Sequence, residues 1–197
     1  MAKDARVTRE LLLNAGARLF ATEGIDAART RDIVKLAGQG NDSAITYHFG
    51  SRQGLLEAIL RAGVERMEPV RAATVLDSAD LAVIVAAIAD PISAELLTEE
   101  GRWFLRVIAQ VAGRAGVRTH AVPALIDGTA IARQLKLLEQ ACLAFLPEPL
   151  ALERVAAFIS FLTAALADRA ARPEPHLLGH EAFTANLNAM LTAALRA

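Results

Sequence analysis

Residues 30–49, TRDIVKLAGQGNDSAITYHF, hold two helical segments with two glycines between them. Thr30 suits an N-cap, and Ile33, Val34 and Ala37 form an apolar stripe on the first segment. Gly38 and Gly40 stop it, because glycine accepts the left-handed backbone of a helix end. Asn41, Asp42 and Ser43 can each cap the second segment, which runs to Phe49. Only Ala44, Ile45 and Phe49 are apolar there, so Asn41, Asp42, Ser43, Thr46, Tyr47 and His48 are free to face outward. A helix this short is unstable alone, so a neighbouring scaffold has to display its polar face. The layout is a helix-turn-helix, whose second helix enters a DNA major groove.

The rest of the chain supplies that scaffold. Hydrophobic residues make up 54% and aromatics only 5%, with alanine and leucine dominant, which favours packed helices over sheets. The expected fold is all-α, with an N-terminal three-helix head over residues 1–52 and a larger helical bundle over residues 53–197. No apolar run approaches the roughly 18–20 residues of a membrane span, and the opening MAKDARVTRE is too charged for a secretory signal. Cys142 is the one cysteine, which excludes an internal disulfide and is compatible with a reducing cytoplasm. Charge gives little support for nucleic acid. Residues 1–60 hold 8 Lys/Arg against 7 Asp/Glu, and the whole chain has a net charge of −1. Locally, Arg29, Arg31, Lys35 and Arg52 flank the motif.

Helical spacing of Leu12, Ala15, Leu19 and Phe20 predicts a first helix from Thr8 to about Glu23, stopped by Gly24. Ser51 is placed to cap a helix from Arg52 to about Ala73. On it, Leu55, Leu56 and Ile59 would pack on the head while Val64, Met67 and Val70 reach the body; Pro69 would kink or end it. Further helices are expected from Asp77 or Ser78 to Ala89 (stopped by Asp90-Pro91), from Glu99 to Ala115, from Pro123 to Leu146, over Leu150–Ala171 and from His180 to Leu195, with a turn over Ile92–Leu97. The helices 123–146 and 150–171 carry apolar faces broader than one core contact needs, among them Leu135, Leu138, Phe145, Phe158 and Leu162.

Catalytic chemistry finds no foothold. His176 and His180 are four apart, but Pro175 and Gly179 interrupt the helix and no cysteine or carboxylate set completes a metal site. Gly38-Gln39-Gly40 lacks the strand and the following Lys-Ser/Thr of a phosphate loop, and no serine lies in a nucleophile elbow. No cofactor, metal or enzymatic activity is expected. A small-molecule pocket in the body would draw on Met67, Trp103, Phe104, Val107, Gln110 and Phe161.

One resemblance sharpens this. Thr8, Leu19-Phe20, Gly24, Thr30-Arg31-Asp32-Ile33, Ala37-Gly38, Tyr47-His48-Phe49-Gly50-Ser51-Arg52 and Leu55-Leu56, in that order, resemble the DNA-binding domain of TetR/AcrR-family transcriptional regulators over roughly Thr8 to Leu60. The turn Gln39-Gly40-Asn41 is one residue longer than the commonest family form. The resemblance implies a cytoplasmic, ligand-responsive regulator, usually a repressor, that binds a palindromic double-stranded operator as a homodimer through the helices 123–146 and 150–171. Phosphate contacts would fall to Thr8, Tyr47, His48, Ser51 and Arg52, base contacts to Asn41, Ser43, Ala44 and Thr46, and Arg29, Thr30 and Asp42 would also lie at the DNA surface. The competing reading is a helical ligand-binding or protein-interaction module of the same fold that does not bind DNA.

Overall fold

Every regular element among the described residues is helical. In the computed structural model those residues are 2–74, 76, 80–114, 124–172, 175 and 177–197. The helices are α1 (Ala2–Thr22), α2 (Thr30–Leu36), α3 (Ala44–Phe49), α4 (Arg52–Ala73), α5 (Leu81–Ala94), α6 (Glu99–Arg114), α7 (Ala130–Leu143), α8 (Glu148–Ala171) and α9 (His180–Arg196); a 3-10 turn over Glu95–Leu97 joins α5 to α6. An all-α chain with a helix-turn-helix at its start is what the periodicity predicts.

The head forms around a small apolar centre. Leu12, Ala15 and Phe20 of α1 meet Ile33 and Val34 of α2, Ile45 of α3, and Leu55, Leu56 and Ile59 of α4, all buried in one cluster. Gly24, at φ 97, ends α1 as expected. Among the body helices, α6 and α8 share the most extensive packing, and α5 lies against α7 and α9. The apolar cluster is continuous from Leu12 to Leu195, so head and body share one core. Between them, α4 packs on α1 and α3 at one end and on α5, α6 and α7 along the rest.

Several boundaries differ from the sequence expectation. The first helix begins at Ala2, so Thr8 lies inside it; good helix formers and an exposed Arg6 Nε–Glu10 Oε1 pair at 3.1 Å, one turn apart, extend it. Asp90-Pro91 does not stop α5. The helix runs on to Ala94 because Ile88, Ala89, Ile92 and Ser93 are buried on one face, which outweighs the hydrogen bond lost at Pro91. Its N-cap is Asp80, whose carboxylate accepts from Ala82 N–H at 2.9 Å; Asp77 and Ser78 lie outside the described residues. The next expected helix starts at Ala130, since Gly128 (φ 74) holds a left-handed turn and Thr129 is the N-cap. Pro123 and Ala115 lie outside the described residues.

On α4, Met67 is buried as expected, but Val70 is 60% exposed and Arg71 takes the buried position at 3%. Pro69 sits within this helix, which continues to Ala73. Among the described residues one helix, α8, is long and apolar enough by length and composition to cross a membrane. Glu153 and Arg154 break any uninterrupted run, but alanines keep the mean hydropathy high. Ala151, Phe158, Leu162 and Leu166 of this helix are buried inside the protein.

Candidate nucleic-acid interface

The chain leaves α2 through a Schellman turn. Gln39 N–H donates to the Val34 carbonyl and Gly38 N–H to the Lys35 carbonyl, both at 3.0 Å, with Gly38 at φ 68. Gly38 therefore provides the left-handed residue, and Gly40 does not. At the start of α2, Arg29 occupies the N-cap position without a side-chain bond, so Thr30 is the first helical residue and not the cap expected of it.

The three candidate caps of α3 have separate roles. Asn41 Oδ1 accepts from Ser43 N–H at 2.9 Å and from Ser43 Oγ at 2.8 Å, and the Asn41 carbonyl accepts from Ala44 N–H at 3.0 Å. Asn41 thus closes the start of the helix by an Asx turn, while Ser43, though N-terminal to the first helical residue, makes no capping bond of its own. The longer turn is accommodated by this closure, and the Asn41 side-chain carbonyl is committed to it.

The orientation of α3 follows from Ile45, which is 1% exposed, and Phe49, which packs against the core. That anchoring turns Asn41, Asp42, Ser43, Thr46 and Tyr47 outward, with Tyr47 80% exposed, while Ala44 and His48 are half-buried. The Tyr47 and His48 rings meet edge to face at 4.9 Å between centroids. Arg9 of α1 lies over the Phe49 ring at 5.0 Å, and Arg9, His48, Phe49, Glu57 and Arg61 border a cleft of about 400 Å³ beside α3. Arg29, Arg31 and Lys35 are exposed around α2, and Arg31 shares its charge with Asp32 at 3.7 Å. Thr8 is half-buried within α1.

At the other end of α3, Gly50 (φ 73) reverses the chain and Ser51 Oγ accepts from Gly54 N–H at 2.9 Å, the cap expected of it. Arg52 does not point into solvent. Its guanidinium donates to the carbonyls of Ile25 and Ala28 and stacks on the Phe20 ring at 5.0 Å, which pins the connection between α1 and α2. A phosphate at this corner would therefore meet backbone N–H groups and not this guanidinium. Gly54 carries no signal in the sequence pattern: a Cβ there would lie 2.0 Å from the Phe49 carbonyl oxygen, so only glycine lets α4 pass this close under α3.

The six body residues expected to line a ligand pocket occupy several environments. Met67, Phe104 and Val107 are core, and Phe104 fills the space above Gly63, where a Cβ would stand 2.1 Å from its ring. Trp103 and Phe161 are half-buried against the core. Gln110 is bonded to the head. None of the six borders the clefts at Ala82 and Arg196, at Leu97 and Arg169, or at Arg9 and His48.

A buried polar group that the sequence does not single out lies between α4, α5 and α7. Arg71 donates to Gln134 Oε1 at 2.9 Å and to the Ala87 carbonyl at 3.3 Å. Burial lowers its pKa to about 10 against the opposing pull of Glu68, so it stays charged at neutral pH. Glu68 Oε1 accepts from Ala130 N–H at 2.7 Å, and its other oxygen is buried without a hydrogen-bond partner among the described residues, as is Gln134 Nε2. Among the described residues, no group of three or more His, Cys, Asp and Glu side chains could hold a metal ion; His176 lies outside them.

Comparison with known proteins agrees with this geometry. Residues 12–59 match the family described as bacterial regulatory proteins, tetR family. Along nearly its whole length the chain is similar in fold to a transcriptional regulator from Rhodococcus sp. Rha1, with TM-score 0.57, 21% identity, and 95% of this chain and 96% of that one covered. It is likewise similar to NalD, the secondary repressor of the MexAB-OprM multidrug efflux pump in Pseudomonas aeruginosa, at TM-score 0.58, 17% identity and coverage of 98% and 97%. A third such structure is GusR of Salmonella enterica, at TM-score 0.51, 18% identity and coverage of 96% of both chains. No curated protein matches the chain.

Proposed function

We infer that this chain, whose head is a tetR-family helix-turn-helix domain and whose fold is that of tetR-family regulators, is a ligand-responsive repressor that binds a palindromic operator as a homodimer. The observation that carries the reading is α3. It is anchored by Ile45 and Phe49 and presents Ser43, Thr46 and Tyr47 on one exposed face, with Arg9 over the Phe49 ring and Arg29 and Lys35 exposed at α2. Thr46 and Ala44 offer methyl groups for thymine, and Ser43 a hydroxyl for a base edge. Tyr47, His48, Arg29, Thr30, Thr8 and the N–H groups after Ser51 suit phosphates, with Asn41 and Asp42 at the lip of the turn. The DNA-binding part would span residues 1–52 and the ligand-binding and dimerisation part residues 53–197, with α4 belonging mechanically to both.

The dimer would form through α7 and α8. Leu143, Phe145 and Leu150, at their junction, are 39%, 49% and 47% exposed, an apolar patch that a second copy would cover. An effector would bind in the body, where Trp103 and Phe161 are half-buried while Phe104 is core and Gln110 is bonded to the head. It would shift the population of head arrangements away from the operator. Such a protein acts in the cytoplasm and carries out no catalysis. NalD represses an efflux pump, but nothing in this chain points to the same target.

Selection of duplexes from a random DNA library with the full chain, at low and moderate salt, tests the reading. One enriched palindrome, with binding that falls steeply as salt rises, is the expected result. A folded dimer that enriches no sequence would reject it in favour of a binding module without DNA.

A further inference from the structure

Gln110 belongs to α6 in the body, yet its side-chain amide is spent largely on the head. Its Oε1 accepts from Ile25 N–H at 2.9 Å, and its Nε2 donates to the Phe20 carbonyl at 3.0 Å as well as to Arg106 of its own helix at 3.0 Å. Phe20 is in the last turn of α1, where carbonyls run out of helical partners, and Gly24 has already turned left-handed at φ 97. A side chain 85 to 90 residues away therefore closes the end of α1.

The same segment is gripped from its other side. Arg52 of α4 holds the Ile25 and Ala28 carbonyls and covers the Phe20 ring. Ile25 thus has its N–H fixed by α6 and its carbonyl fixed by α4. Residues 20–28 lead directly into α2 and hence into the reading helix. Packing of α1 on α6 is more extensive than its packing on α4, so the head is seated on two body-linked helices.

We propose that Gln110 is the positioning residue that fixes the angle of the head on the body, and with it the spacing of the two reading helices in a dimer. Apolar packing of α1 on α6 tolerates sliding, whereas the two-ended amide of Gln110 has one register. The consequence for operator spacing rests on the regulator reading above; the fixed head angle does not.

Two exposed positions, Ser43 on the head and Glu99 at the start of α6, report that angle. The full chain carrying Ser43→Cys and Glu99→Cys is spin-labelled, with buried Cys142 left in place, and mixed with excess unlabelled chain so that only distances within one chain are read. With Gln110 present the distance distribution is narrow. Gln110→Leu, of similar size but without the amide, is expected to broaden it or move its peak by several ångströms while helix content is unchanged. An unchanged distribution overturns the proposal.

Amide exchange in the unsubstituted protein guards against a variant that fails to fold: Ile25 N–H should exchange at least 100-fold more slowly than an exposed loop amide, and exchange at the loop rate overturns the proposal. In the random-duplex selection, the parent should prefer one half-site spacing. Gln110→Leu should keep the half-site sequence but lose at least tenfold discrimination between spacings, and an unaltered spacing preference counts against it. If the parent enriches no duplex, the regulator reading fails, while the label distances still decide the role of Gln110.

Discussion

Gly54→Ala should destabilise the protein, although alanine in a helix ordinarily helps. In a helix interior the exchange is worth about 0.5–1 kcal/mol in favour of alanine. Here the new Cβ would sit 2.0 Å from the Phe49 carbonyl oxygen and 3.2 Å from its carbon, where contacts below 3.0 Å essentially never occur. The oxygen must retreat by about 1 Å, the difference between those two limits. It belongs to backbone at the end of α3, whose Ile45 is 1% exposed, so the helix has to move as a unit. Overpacking of this kind costs about 1–3 kcal/mol, and more when backbone is the obstacle, leaving a net loss of about 1–2 kcal/mol. For a chain of 197 residues that lowers the melting temperature by about 3–6 °C, read by circular dichroism. Gly40→Ala is the control: Gly40 has nothing within 4 Å and no left-handed backbone, so alanine there should be neutral or stabilise by about 0.4–1 kcal/mol. A Gly54→Ala protein that melts at or above the parent temperature would refute the packing argument. Displacement of α3 should also weaken any selected operator more than the small loss of stability explains.

Ser51→Ala removes the acceptor for Gly54 N–H and should cost about 1 kcal/mol in urea unfolding, with no change in the slope of the transition. Gly63→Ala drives a Cβ to 2.1 Å from the Phe104 ring, which is 2% exposed and has no room to turn, so about 2–3 kcal/mol should be lost in the same assay. Thr46→Ala, at an exposed position, should leave the melting temperature within about 2 °C of the parent but weaken a selected operator at least tenfold by gel shift. Burial raises the Cys142 thiol above 9.0 despite nearby Arg154, so the folded state keeps that proton longer than the unfolded chain does. Its contribution to stability is complete below the unfolded value and is lost as pH rises through the folded one. Between pH 7 and about pH 10 the parent should therefore lose stability relative to Cys142→Ala, measured by urea unfolding; a flat difference would contradict the burial effect.

The features legible in the sequence are decided by short-range physics, and the hidden ones by contacts across long separations. Ile33, Val34 and Ile45 announce their buried faces by spacing alone, and Gly24, Gly38 and Ser51 act locally, so all six are where the pattern puts them. Thr30 misleads because a threonine before an apolar stripe suits the cap and the first helical turn equally well. Arg71 defeats the pattern differently: an apolar count prefers Val70, but a guanidinium can be buried where α5 and α7 offer the Ala87 carbonyl and Gln134, acceptors 16 and 63 residues away. Pro91 looks like a stop because proline's local cost is visible in the sequence and the burial of Ile92 and Ser93 is not. Arg52 and Gln110 are the instructive pair. Each has the chemistry of a ligand-facing side chain, a cation beside the reading helix and an amide among aromatics, and that chemistry suggests a phosphate for one and an effector for the other. Both instead meet at Ile25, because a turn between helices leaves carbonyls and an N–H group that burial forces the protein to satisfy from elsewhere. Polar residues with unfilled hydrogen-bonding capacity are thus ambiguous in sequence between function and the closure of distant helix ends, and the closure here falls on the segment that aims α3.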